Sequence, residues 1–291
     1  MEIGVGTILY EFSGKPLSVS VERIASFGIK YIDVLAFGIF NPALYPLGEQ
    51  MRIAKIMERN DVRASSIITC GEGNLASDDK QEREKVLKQL KLAAQLVKEL
   101  GGNQILIGKG VGNIDFHLSR ERAENNAIIL VKEFADWCLA QDIVITFELE
   151  PEWLHVCNSI QSMKRLIDKV GAPNIGANMD IGHLNILRTR PDECECLKDK
   201  IIHVHISDNN GLAHTNCVIG EGSVDVAWYI DQYIKWGVDD VAAKFGVVPV
   251  AAIEVGEPGE YITDSDMRLT KSYGHVLLNV AALQSPLTDK N

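Results

Sequence analysis

Eight short runs rich in β-branched residues alternate with amphipathic stretches from one end of this 291-residue chain to the other. The strand-like runs are residues 3–8, 31–35, 62–68, 104–107, 143–148, 175–179, 201–206 and 248–253. Between them the apolar period changes from that of a strand to that of a helix. Residues 85–100 show it best: Val86, Leu87, Leu90, Ala93, Ala94 and Val97 recur near the helical spacing, and Gly101-Gly102 follows as a stop. Residues 121–139, 159–170, 223–236 and 265–283 read the same way. Alternation of this kind calls for parallel strands joined by helical crossovers, because parallel neighbours cannot be joined by a tight turn. Using all eight strands predicts a single α/β domain over residues 1–291, a (β/α)8 TIM barrel. A doubly wound open sheet is the alternative.

Composition sets limits on partners. The chain is 46% apolar and 24% charged, ordinary for a globular protein, with a formal net charge of −11. That acidity argues against a nucleic-acid partner, which would draw on clustered Lys and Arg. No apolar run approaches the roughly 20 residues that span a bilayer, so no membrane role is expected. Met1-Glu2-Ile3-Gly4-Val5-Gly6 begins directly as a strand, without the basic and apolar regions of a leader. The six cysteines (70, 138, 157, 194, 196 and 217) form no CxxC pair. Reduced thiols and a cytoplasmic location are expected, and a cysteine-based zinc site is not.

Four segments carry the chemistry. Phe147-Glu148-Leu149-Glu150-Pro151, Asn178-Met179-Asp180-Ile181-Gly182-His183, His203-Val204-His205-Ile206-Ser207-Asp208 and Ala252-Ile253-Glu254 are apolar runs ending in carboxylates or imidazoles. Ending a hydrophobic strand this way is costly unless something binds the charged group. In a barrel these ends meet at one mouth. Strand alternation puts Glu148 with Glu150, Asn178 with Asp180, and His203 with His205. Glu150, Asp180, His205 and Glu254, on four successive strands, are then expected to ring the opening. Three carboxylates and one imidazole suit a single divalent metal ion, Mn2+ first, with Mg2+, Co2+ or Zn2+ as alternatives. Glu148 is expected deeper in the barrel, behind the ligands.

These segments, together with Ile219-Gly220-Glu221-Gly222, resemble the xylose isomerase-like TIM barrels over nearly the whole chain. That family includes sugar-phosphate isomerases and epimerases, ketose 3-epimerases and AP endonucleases. The resemblance implies that Glu150, Asp180, His205 and Glu254 bind one divalent metal and that His183 contacts substrate. Two positions depart from the tagatose and psicose epimerases: Gly211 replaces an Arg, and Val156 a Glu. The third and fourth strands end in Cys70-Gly71 and Gly108-Lys109, without the histidines of the AP endonuclease zinc cluster.

The expected activity is isomerisation or epimerisation of a small sugar or polyol-like α-hydroxy-carbonyl compound through an enediolate. Glu150 and Glu254 would act as acid and base. His183, Asp208, His214, Trp153 and Lys109 are the candidate substrate contacts. A metal-dependent dehydratase acting on an inosose or dehydroshikimate, or a non-catalytic sugar-binding barrel, are the alternatives. A homodimer or homotetramer is expected, with residues 37–47 or 228–236 as candidate interfaces.

Overall fold

The computed structural model describes residues 1–11, 13–36, 41–43, 47–69, 72–256 and 261–283. Most of the 37–47 segment, and Cys70-Gly71, lie outside the described residues. The strands are β1 (Glu2–Gly6), β2 (Tyr31–Leu35), β3 (Arg63–Thr69), β4 (Gln104–Ile107), β5 (Val144–Phe147), β6 (Ile175–Asp180), β7 (Ile201–Ile206) and β8 (Val250–Ile253). They are hydrogen-bonded in sequence order into a closed barrel. All pairs are parallel, and β8 returns to β1 with Glu2 opposite Val250 and Val5 opposite Ile253. This is the (β/α)8 barrel that the alternation predicts.

The helices are α1 (Ile8–Glu11), α2 (Leu17–Ser26), α3 (Leu47–Arg59), α4 (Lys80–Glu99), α5 (Arg120–Leu139), α6 (Ile160–Val170), α7 (Ile181–Ile186), α8 (Val226–Lys235), α9 (Val238–Phe245) and α10 (Ser265–Asn279). Their starts follow local chemistry. Asp79 accepts the Gln81 N–H ahead of α4, and Ser159 and Ser162 cap α6 reciprocally before Gly171 ends it in a left-handed conformation. Residues 228–236 belong mostly to α8, where Tyr229, Ile230 and Tyr233 are buried and Trp228 stays half exposed.

Strand alternation sorts the core into two layers. Val5, Val34, Ile105, Phe147, Met179, Val204 and Ile253 belong to one large cluster with Val21, Leu90, Phe134, Leu166 and Ile230 of the helices. Each such buried Leu or Ile contributes roughly 1.5–3 kcal/mol. Inside the barrel, Ile8, Leu35, Ile68 and Leu106 form a separate apolar cluster. The opposite interior side carries Asn178, Asp180, His203 and His205, all buried. The interior thus holds an apolar cluster on the β1–β4 side, with Asp33, Ser66, Thr69 and Gln104 buried on the same strands, and is polar on the β5–β8 side. Register shifts leave one extra residue in β3, Ser65 opposite Ile32 and Asp33, and one in β7, Ile202 opposite Ala177 and Asn178. Irregularities of this kind re-aim the side chains next to them.

Candidate metal centre and active site

Asp180 ends β6 and at once caps α7. Its Oδ1 accepts the His183 backbone N–H (2.9 Å) and the Ser207 hydroxyl (2.6 Å). Its Oδ2 is buried and has no hydrogen-bond partner among the described residues. His205, near the end of β7, sits with Nδ1 2.8 Å from Glu148 Oε1, 2.9 Å from Glu254 Oε2 and 3.9 Å from Asp180 Oδ2. Yet Nδ1 has hydrogen-bond geometry to none of them. The oxygens gather around the nitrogen without lying along its N–H direction. One donor atom each from Glu148, Asp180, His205 and Glu254 falls within 4.8 Å of the others. Two orphaned buried atoms within a set of hard oxygen donors and one imidazole fit a divalent cation.

The sequence reading put Glu150 in this ring and Glu148 behind it. The structure brings Glu148 into the converging group. β5 ends at Phe147, so Glu148 is the first residue past the strand, at the height of β6, where its Oε1 accepts from Asn178 Nδ2 (2.7 Å). Two residues later the backbone has already turned into its own loop, with Glu150 N–H donating to Cys157 O (3.0 Å). Glu150 stands beside the group, its Oε2 3.8 Å from His183 Nε2.

His183 is held firmly. Its Nδ1–H donates to the Leu149 carbonyl (2.7 Å), and its Nε2 faces His214 Nε2 at 2.7 Å. A single proton can sit between those two nitrogens. Asp180, His183 and His214 form a second convergent set that shares Asp180 with the first.

Charge at the mouth is strongly perturbed. Burial pushes the Glu148 carboxyl up to about 7, with His205 pulling against it. Burial disfavours charge on His183, but Asp180, Glu150 and Glu148 outweigh it and raise the imidazole to about 10. His205 is likewise raised well above its ordinary value, burial being overcome by Glu254 and Glu148. Asp180 is held below the usual carboxylate range, burial being overcome by His183, His205 and His214. Such concentrated perturbation in a cleft marks a functional site.

These groups open into one cavity of about 490 Å³, within the range of small-molecule sites. Ile8, Leu35 and Ile68 line one wall, and Glu148, Glu150, His183, His214 and Glu254 the other. Lys109 lines the cavity from the turn after β4, where Lys109, Gly110 and Val111 all have positive φ (48°, 53° and 57°). The His155 side chain and the Cys157 backbone pin that turn, through contacts to Lys109 O (3.0 Å) and Gly110 O (2.7 Å). A larger hollow of about 580 Å³ lies at the opposite end of the barrel, around Val62 and Gly101.

Two expected substrate contacts are placed elsewhere. Asp208 is fully buried, and its carboxylate accepts four backbone N–H groups, from Asn209, Val224, Gly220 and Gly222. It is a clamp for the loop between β7 and α8. Trp153 is 71% exposed, outside the cavity lining. Asn113, His155 and Asn216 line the cavity without having been singled out in the sequence. They lie in loops, where no strand or helix period flags them.

Comparison with known proteins agrees with this architecture. Residues 21–241 match the family model described as xylose isomerase-like TIM barrel. The chain belongs to that family. An uncharacterized protein of Methanocaldococcus jannaschii is 24% identical over 248 residues, covering 83% of this chain and 82% of its own. Among solved members of this fold, a D-tagatose 3-epimerase-like protein superposes with TM-score 0.78 at 20% identity, covering 96% of this chain and 98% of its own. The IolI protein, crystallised with a zinc atom, gives TM-score 0.79 at 14% identity and covers 98% and 100%. An L-ribulose 3-epimerase gives 0.76 at 17% identity and covers both chains completely. At these identities the structural likeness speaks for the barrel, and the chemistry must be argued from the residues. Among the described residues, no helix is long and apolar enough to cross a membrane.

Proposed function

We propose that this protein is a divalent-metal-dependent isomerase or epimerase of a small sugar or related α-hydroxy-carbonyl compound. The observation that carries this reading is the convergence of Glu148, Asp180, His205 and Glu254 within 4.8 Å at the mouth of a half-apolar cavity. In this reading those four residues hold one ion. A divalent ion there would polarise a carbonyl as a Lewis acid and make the neighbouring carbon more acidic. Three carboxylates and one imidazole favour Mn2+, with Mg2+, Co2+ and Zn2+ as alternatives.

Glu150 and Glu152 line the same cavity outside the converging group; Glu150, with its Oε2 3.8 Å from His183 Nε2, is the one assigned to move a proton at the substrate carbon. Glu254, across the opening, returns a proton from the other side. His183, anchored through Nδ1, offers Nε2 to a substrate oxygen. Ile8, Leu35 and Ile68 take the C–H face of the substrate, and Lys109 its far end. Asp208 and Trp153 have no contact role in this reading. Structural neighbours that include an L-ribulose 3-epimerase and a D-tagatose 3-epimerase-like protein support the substrate class. Gly211, which departs from that subgroup, leaves the choice of sugar to experiment. The free thiols Cys138, Cys157, Cys194, Cys196 and Cys217 support a reducing, cytoplasmic setting.

Metal analysis of the purified protein, followed by NMR of ketoses, aldoses and their phosphates in D2O, tests the reading. Solvent deuterium should appear at the carbon beside the carbonyl. Glu148→Gln should lose metal, whereas Glu150→Gln should keep it and lose exchange. Exchange at the wild-type rate in Glu150→Gln, or metal-independent exchange in the wild type, would sink these assignments.

A further inference from the structure

The geometry points to Asp33 as the positioning residue that fixes how His205 presents itself to the metal site. This rests on the metal reading above. Asp33 lies in β2, across the barrel from β7, and the neighbouring register shift leaves Ser65 of β3 as the extra residue beside it. It is fully buried, in a strand whose other residues are apolar or aromatic. Burying a carboxylate there is costly unless its oxygens are matched by donors. Here Oδ2 receives both His203 Nε2 (2.8 Å) and His205 Nε2 (3.2 Å), while Oδ1 receives the Ser65 hydroxyl (2.6 Å).

A carboxylate of this kind only accepts, so both Nε2 atoms carry hydrogen. For His205 that settles the ring. The nitrogen left to donate a lone pair is Nδ1, the atom that sits 2.8 Å from Glu148 Oε1 and 2.9 Å from Glu254 Oε2. Rotating the ring to offer Nε2 would break the Asp33 bond and strand a buried carboxylate oxygen. A carboxylate behind a ligating imidazole also strengthens it as a donor. His203 gives the same oxygen a second hydrogen bond, and its own Nδ1 is buried without a partner among the described residues. It completes the Asp33 shell without reaching the converging group.

The experiment is metal affinity measured by chelator competition, with Mn2+ and Zn2+ as probes, on the full chain. Asp33→Asn keeps the shape and removes the charge. It should weaken binding about 10- to 100-fold while remaining folded by circular dichroism. His203→Asn, which leaves the Asp33–His205 bond in place, should stay within about threefold of the wild type, well below that second-shell range. Equal affinity in wild type and Asp33→Asn, or equal losses in the two variants, would overturn the role of Asp33 and leave the metal reading standing. A wild type that binds neither ion overturns both. A second readout needs no variant. Long-range 15N–1H spectra of the zinc-loaded wild type should show His205 coordinated through Nδ1 with hydrogen on Nε2. Coordination through Nε2 would overturn the inference.

Discussion

Replacing Asp208 by Asn separates a loop clamp from a substrate contact. The two oxygens of Asp208 divide four backbone donors evenly. Oδ1 takes Asn209 N (2.8 Å) and Val224 N (3.1 Å), and Oδ2 takes Gly220 N (2.9 Å) and Gly222 N (3.0 Å). Asparagine has one acceptor oxygen and one donor NH2 group. Whichever way the amide turns, two N–H groups face another donor. Hydrogen bonds to a charged group contribute about 1.5–3 kcal/mol each, so losing two costs roughly 3–6 kcal/mol. A domain of this size loses about 2–4 °C of Tm per kcal/mol, so a fall on the order of 10 °C is expected. Calorimetry reads the Tm, and hydrogen exchange reads the amides of Gly220, Gly222 and Val224, which should become fast-exchanging. An unchanged Tm, with those amides as slow as in the wild type, would refute the clamp. A rise in KM alone would restore Asp208 as a substrate group.

Two further outcomes follow from the same geometry. A Cβ added at Gly182 would lie 2.1 Å from Ser207 Oγ and 2.9 Å from Asn209 Nδ2. Gly182→Ala should therefore destabilise by about 1–3 kcal/mol in urea titrations, as overpacking does, and weaken metal binding by displacing the Ser207 hydroxyl from Asp180. The pH dependence of stability should differ between metal-free and metal-loaded protein. Glu148 (about 7), His183 (about 10) and His205 all have folded-state values raised above their ordinary ones. A raised group contributes stability below its unfolded pKa and loses it as pH rises through the folded value. The Tm of chelator-treated protein should fall between pH 5 and 8, whereas saturating metal should stabilise more at pH 8 than at pH 5, because it displaces those protons. Parallel pH profiles with and without metal, measured by calorimetry, would contradict this.

The barrel was legible because its signal is repeated: eight apolar runs separated by helical periods leave few closures. The strand ends were less so. β5 stops at Phe147 and β8 begins at Val250, each within two residues of expectation, and at the mouth those few residues decide which carboxylate converges. Parity put Glu148 and Glu150 on the same side, but depth depends on barrel stagger, which no single strand encodes. Asp33 obeys the same desolvation rule that drew attention to the strand-ending acids. Its partners lie about 170 residues away across the barrel, so local pattern gives the anomaly without its resolution. Asp208 reads as a site residue because it closes the His203–Asp208 segment, yet its carboxylate is consumed by backbone amides of a loop that has neither helical nor strand period.

The division of the interior has a consequence for how this protein could diversify. The converging side chains come from the second half of the chain, and the apolar wall of Ile8, Leu35 and Ile68 from the first. Changes confined to the first half can reshape the room for a carbon skeleton and leave the chemistry intact. Asp33 is the exception, since it reaches from β2 to the β7 imidazoles. A transplanted first half-barrel would need an acid at that position and in that register. Among the described residues, Asp33 is the first-half carboxylate that touches both β7 imidazoles, which sets a condition under which a new front half would keep the converging group as it is.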